Sequence, residues 1–141
     1  MIIVIDAILS PVKPRGVARY TSELIKGLAG MDSENTYYIF YGSWMKSYDF
    51  LAIQQPNFHF IEKDIPSGMI RRNMYKCFVL PVLAQKLKGD VFHVTDTSPI
   101  LYKTCPVIST IHDLAEFVLP EKYSRLSAFC RRKYLWFQTR L

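Results

Sequence analysis

At 141 residues the chain fits one domain of ordinary size and not two. Half of its residues are hydrophobic and 14% are aromatic, which excludes a disordered chain. No apolar run approaches the roughly 18 residues that would cross a bilayer. The formal net charge of +6 is unevenly spread: residues 1–120 hold twelve Lys/Arg against eleven Asp/Glu, whereas residues 121–141 hold six against one. That basic end suits an acidic partner, an anionic membrane or nucleic acid, or is simply a solvated helix face.

The opening Met1-Ile2-Ile3-Val4-Ile5-Asp6 lacks the basic start and cleavage site of a signal peptide and reads as a buried strand over Ile2–Asp6. Pro11 and Pro14 make Ala7–Arg15 a loop. From Gly16 the period becomes helical, with Val17, Tyr20, Thr21, Leu24, Ile25 and Leu28 on one face and Gly27 and Gly30 helping to stop the helix. Thr36–Tyr41 is a second strand closed by Gly42, and Phe58–Glu62 a third, short and at an edge. After a loop over Ile65–Gly68, Met69–Leu87 reads as a long helix with apolar positions at Met74, Tyr75, Phe78, Val79, Val82, Leu83 and Leu87, kinked or split at Pro81. Lys88-Gly89-Asp90 ends it, Val91–Val94 is a fourth strand and Pro106–Ile111 a fifth. Beyond a loop with Pro120, Tyr123–Leu141 forms an amphipathic helix with Leu126, Phe129, Cys130, Tyr134 and Phe137 inward.

Strands alternating with helices predict an α/β fold: a doubly wound, mostly parallel Rossmann-like sheet in three layers, joined by right-handed crossovers. The chain stops inside its last helix with no following strand, an ending expected of a domain cut short or continued in a larger protein. Cys77, Cys105 and Cys130 are odd in number and show no CxxC pairing, so neither a disulfide framework nor a zinc site is expected, and a cytoplasmic location fits.

In open parallel sheets, ligands bind at the carboxyl ends of the strands, which selects three loops. The first, Ser10–Tyr20, opens a helix at Gly16. Its backbone N–H groups and helix dipole suit a phosphate or carboxylate, and Arg19 can add a charge-assisted bond; a glycine at that place also serves a tight turn. It is not a dinucleotide fingerprint or a P-loop, since GxGxxG is absent and strand 2 ends Tyr41-Gly42-Ser43. The second, His93-Val94-Thr95-Asp96-Thr97-Ser98-Pro99, holds small polar side chains. Thr95 and Asp96 can bond sugar hydroxyls or tie the local backbone, and His93 reads as a core histidine. The third, Ser109-Thr110-Ile111-His112-Asp113-Leu114, sets a histidine where a hydrophobic strand ends. His112 can donate to a substrate oxygen and Asp113 can bind a hydroxyl or position the pair, although adjacent residues on an extended chain point opposite ways. There is no GxSxG elbow, no informative Cys/His spacing and no metal-ligand cluster among His59, His93 and His112.

Taken together, Gly16-Val17-Ala18-Arg19-Tyr20, Asp90-Val91-Phe92-His93, and Pro106-Val107-Ile108-Ser109-Thr110-Ile111-His112-Asp113-Leu114 resemble, in order and spacing, segments of family 4 glycosyltransferases. Leu119-Pro120-Glu121-Lys122-Tyr123-Ser124 and the basic-aromatic helix fit the same pattern. The resemblance spans nearly the whole chain; the HDL segment is fairly specific and the Gly16 loop less so. Arg15 stands where the family often has the first of two glycines.

The resemblance implies that residues 1–141 are the N-terminal, acceptor-side domain of a GT-B enzyme, whose C-terminal donor-binding domain lies outside this chain. It implies a retaining transferase that moves a sugar from a nucleotide-sugar donor to a glycan or lipid-linked acceptor, without a metal or other cofactor, and a fragment inactive by itself. Gly16 and Val17 would offer backbone N–H groups to donor phosphates or acceptor, and His112 would be the catalytic-centre contact. Arg131, Arg132, Lys133 and Arg140 with Tyr134, Trp136 and Phe137 would meet the inner membrane face peripherally; the competing arrangement buries the aromatics and solvates the charges. No nucleic-acid partner is expected, because the basic residues carry no docking motif. The alternative reading is a non-catalytic α/β module that binds a sugar, a phosphate or a protein.

Overall fold

A computed structural model of the chain describes residues 1–10, 15–65, 68–98, 100, 103–113 and 133. The chain divides into two compact units, Met1–Thr110 and Ile111–Leu141. In the second, Ile111, His112 and Asp113 are exposed, and Lys133 is helical and exposed. The predicted last helix and the loop at Pro120 otherwise lie outside the described residues.

The first unit is a five-stranded, all-parallel sheet in the order β3-β2-β1-β4-β5, with β1 Ile2–Asp6, β2 Thr36–Gly42, β3 Phe58–Lys63, β4 Val91–Val94 and β5 Val107–Ser109. This is the expected α/β, Rossmann-like arrangement. β1 is central and buried on both sides because its β-branched residues alternate between two apolar layers. Ile3 and Ile5 face α1 (Arg15–Met31), packing with Ile25, Ala29, Tyr37 and Ile39. Ile2 and Val4 face the opposite layer, packing with Phe40, Leu80, Ala84 and Phe92.

α1 runs through Gly27 and Gly30 to Met31 rather than stopping at them. Both glycines have open space around them, so they weaken the helix without breaking it. Its end is fixed by Asp32, whose carboxylate accepts from the N–H groups of Glu34 and Asn35, from Asn35 Nδ2 at 2.6 Å and from the Tyr37 hydroxyl at 2.6 Å. These four donors hold the Asp32 carboxyl well below the usual carboxylate range. Two short 3₁₀ turns, Ser43–Met45 and Asp49–Ala52, lie between β2 and β3. The closing Gly42 is tightly packed: a Cβ would stand 2.6 Å from the Trp44 ring, which would have to shift to admit it.

The long helix expected over 69–87 is three pieces in one run: α2 Met69–Met74, a π turn Tyr75–Val79, and α3 Leu80–Lys86. The Leu80 N–H bonds back to the Tyr75 carbonyl, five residues away. Pro81 sits in the first turn of α3, where its missing N–H is tolerated, and the π turn just before it absorbs the mismatch. The buried positions are Lys76, Cys77, Leu80, Pro81 and Ala84, so the apolar Met74, Phe78, Val79 and Val82 face outward. β5 is shorter than Pro106–Ile111, pairing only over Val107–Ser109.

Candidate functional site

The order β3-β2-β1-β4-β5 reverses direction at β1. The chain leaves β1 toward β2 on one side and returns through the α2–π–α3 run to β4 on the other. Beyond the carboxyl ends of β1 and β4 the two connections diverge, and this is where open α/β sheets form a ligand crevice. Two polar clusters stand there, one on each face of the sheet.

On the α3 face, Asp6 ends β1 and is fully buried. Lys76, projected inward by the π turn, is 1% exposed. Its ammonium donates to Asp96 Oδ2 at 2.8 Å and to the Ile8 carbonyl at 3.1 Å, and pairs with Asp6 Oδ2 at 2.9 Å. Asp6 Oδ1 accepts the Ile8 N–H, and the Asp6 carbonyl accepts the Thr95 hydroxyl at 2.8 Å. Asp96 Oδ1 accepts the Ser98 N–H. The end of β1, the loop after β4 and the π turn are thereby fastened at one point.

The charges follow from this packing. Burial raises the Asp6 carboxyl to about 6, and Lys76 only partly offsets that rise. Burial acts in the same direction on Asp96, but the charge of Lys76 and the bonds from Lys76 and Ser98 outweigh it, leaving Asp96 below the ordinary value. Burial pushes the Lys76 ammonium down, but the charges and bonds of the two carboxylates outweigh it and leave Lys76 above its ordinary value. One cation serves two carboxylates, so the less exposed of the two, Asp6, takes up a proton first as pH falls.

On the α1 face, His93 lies opposite Ile5 in the ladder, and its Nε2 shares a hydrogen bond of 3.0 Å with Thr110 Oγ1. The same hydroxyl meets Tyr20 OH at 3.2 Å. Burial lowers the His93 imidazole from its ordinary value. The line Tyr20–Thr110–His93 joins the first turns of α1 to the ends of β4 and β5. It brings Tyr20 of the first predicted loop to Thr110 of the third, and it opens toward solvent at Tyr20, which is exposed.

The predicted site residues divide by burial. Gly16 and Arg19 are exposed on the first turns of α1, while Val17 is half-buried against the sheet. Gly16 has no positive φ, and none of the described residues lies within 4 Å of where a Cβ would stand. Thr95 is fully buried, its hydroxyl turned to the Asp6 carbonyl. The Asp96 side chain is 26% exposed, with both oxygens engaged by protein donors. His112 and Asp113 are exposed and belong to the second unit. Lys76 was passed over in sequence. Its signal was present, since Lys76, Leu80 and Ala84 repeat at the spacing of one helix face, and a lysine on a buried face requires a carboxylate opposite.

Among the described residues no group of three or more His, Cys, Asp or Glu side chains could hold a metal ion. Cys77 and Cys105 are free thiols, and Cys130 lies outside the described residues. A shallow groove lined by Glu23, Leu24, Gly27, Leu28, Met31 and Asp32 follows the far end of α1, away from the carboxyl edge. No helix among the described residues is long and apolar enough to cross a membrane. No protein-family model, curated protein or solved structure matches the chain.

Proposed function

We propose that the first unit is a ligand-binding Rossmann-like domain, and more particularly the acceptor-side domain of a GT-B glycosyltransferase that moves a sugar from a nucleotide donor to a glycan or lipid-linked acceptor. The observation that carries this reading is Gly16. It is the second residue of a 17-residue helix at the carboxyl edge of the sheet, beside the crevice at β1 and β4, and among the described residues it shows neither a positive φ nor a crowded neighbour. A glycine with such open space at a helix N-terminus leaves room for an anionic ligand to reach the backbone N–H groups. Arg19, one turn on, and the Tyr20–Thr110–His93 line supply polar groups beside it. The resemblance of the His112-Asp113-Leu114 segment, two residues past Thr110, supports a sugar-transfer centre with His112 at the reacting end. Nucleotide-sugar donor contacts fall mainly to a partner domain, and the free thiols Cys77 and Cys105 support a reducing compartment.

The test is sugar transfer by the full-length gene product over a panel of nucleotide sugars. His112→Ala is expected to lower kcat/KM by about 10²-fold or more. Gly16→Ala is expected to raise stability by roughly 0.5–1 kcal/mol, as alanine does within a helix, while transfer falls. Transfer unaffected by both substitutions would sink the assignment. One observation favours the second reading, a non-catalytic module: Thr95 and Asp96 spend their polar atoms on the fold rather than facing an empty crevice. Sugar or phosphate binding without transfer in any full-length preparation would select it.

A further inference from the structure

Amphipathic helices at the surface of a globular unit turn their polar residues outward. α1 follows this rule over most of its length, exposing Gly16, Arg19, Glu23, Gly27 and Gly30 with charges of both signs, its exposed apolar residues being Tyr20 at 37% and the terminal Met31 at 90%. The α2–π–α3 run does the reverse. Ile70 is 74% exposed, Met74 54%, Phe78 45% and Val82 38%, with Val79 beside them. Five of the ten exposed large hydrophobic residues among those described lie on these 18 residues.

Their spacing of four would drift by about 40° per step around a regular α-helix, spreading the residues over a third of its girth. The π turn at Tyr75–Val79 takes more residues per turn and so counters that drift, keeping Ile70, Met74, Phe78 and Val82 in one stripe. The same turn points Lys76 inward, where Asp6 and Asp96 neutralise it.

Within the run itself the charges have one sign, with the exposed Asp64 and Asp90 just outside it. From Ile65 to Gly89 there are five basic residues and no acidic one. With Lys76 buried, Arg71, Arg72, Lys86 and Lys88 remain at the surface, the first two at one end of the stripe and the others past the opposite end. The near-neutral balance of residues 1–120 conceals this segment.

We propose that the outer face of the α2–π–α3 run is a docking surface for an anionic lipid bilayer, in whose interface the stripe lies flat. The thirteen residues from Ile70 to Val82 span about 18 Å, too short to cross a membrane but enough to seat an apolar edge among acyl chains. The flanking cations meet anionic headgroups. A bilayer supplies both the apolar interior and the negative charge that this face requires. A second copy does not, since two-fold pairing of the face would set four cations against four. The proposal stands apart from the sugar-transfer reading and from the basic segment at 121–141.

The experiment is flotation of the full chain with vesicles of phosphatidylcholine, with and without a third of phosphatidylglycerol. Binding to the anionic vesicles is expected to be at least about tenfold tighter and to weaken as salt is raised. Ile70→Ser/Met74→Ser, the most exposed pair, and Arg71→Gln/Arg72→Gln are each expected to lower it about tenfold with an unchanged melting temperature. Phe78→Ser is a third, independent probe of the stripe. No binding to either vesicle overturns the proposal. So does binding that survives all three variants but is lost in Arg131→Gln/Arg132→Gln, or a dimer in solution that the stripe variants dissolve while vesicles are ignored.

Discussion

The two polar clusters at the carboxyl edge contain similar chemistry and behave oppositely. Asp6–Lys76–Asp96 is closed: the cation is buried, three oxygens surround it, and only Asp96 reaches the surface. Tyr20–Thr110–His93 is open: it runs from a half-buried imidazole through one hydroxyl to an exposed phenol. Both join elements far apart in sequence, Asp6 to Asp96 and Tyr20 to Thr110. A buried, charged network holds geometry because every alternative arrangement strands a charge. A neutral, partly exposed one can exchange its partners for water or a ligand at little cost. The closed cluster thus fixes the frame of the edge, and the open one is the part available for recognition.

The sharpest way to break this contrast is Lys76→Met. The substitution keeps the apolar stem but leaves Asp6 fully buried without a counter-charge beside a second carboxylate. The expected loss is about 3–5 kcal/mol of unfolding free energy at neutral pH, read by urea denaturation. A loss below about 1 kcal/mol would mean that water reaches the cluster and that it is not a lock.

Asp6→Asn tests the same cluster through pH. The folded-state pKa of Asp6, about 6, lies above the ordinary 3.8, so the folded protein binds this proton more tightly than the unfolded chain. The stability that this group contributes is fully present below about pH 3.8 and is lost as pH rises through about 6. Asparagine mimics the protonated form at every pH. Between pH 4 and 7 the wild type is therefore expected to lose roughly 2 kcal/mol relative to Asp6→Asn. Asp32, whose carboxyl is held low, acts in the other sense as pH falls toward its unfolded value, but it is common to both proteins and cancels in the difference.

Much of the frame was legible in sequence. β1 and β4 have the expected bounds because a strand buried on both faces is a continuous apolar run bounded by polar residues. The π turn was not legible, since an extra residue in a helical turn leaves no local mark besides the nearby Pro81. Reading 69–87 as a helix kinked or split only at Pro81 also hides which residues of the run are buried. The carboxyl-edge rule located Thr95, Asp96 and the segment at Thr110, but what each of them touches depended on the crossovers. Asp96 meets a lysine 20 residues earlier, and Thr95 bonds a carbonyl 89 residues earlier.

The smallest expected effect sharpens the open side. Thr110→Val keeps the shape of the side chain and removes the hydroxyl that links His93 to Tyr20. Because Tyr20 is exposed and Thr110 only half-buried, solvent can take over part of the lost bonding, and the expected cost is about 1 kcal/mol or less. The informative readout is the His93 titration followed by NMR. Burial is what lowers the imidazole, and valine does not relieve burial, so His93 should remain below its ordinary value in the variant. The contribution of His93 to stability, present above the unfolded pKa near 6.5 and declining as pH falls below it, should persist as well. A return of His93 to its ordinary value would show instead that the Thr110 bond, and not the packing of β4, holds the ring in its place. The α1 face would then be as tightly fastened as the cluster at Lys76, and the contrast between the two sides of the edge would disappear.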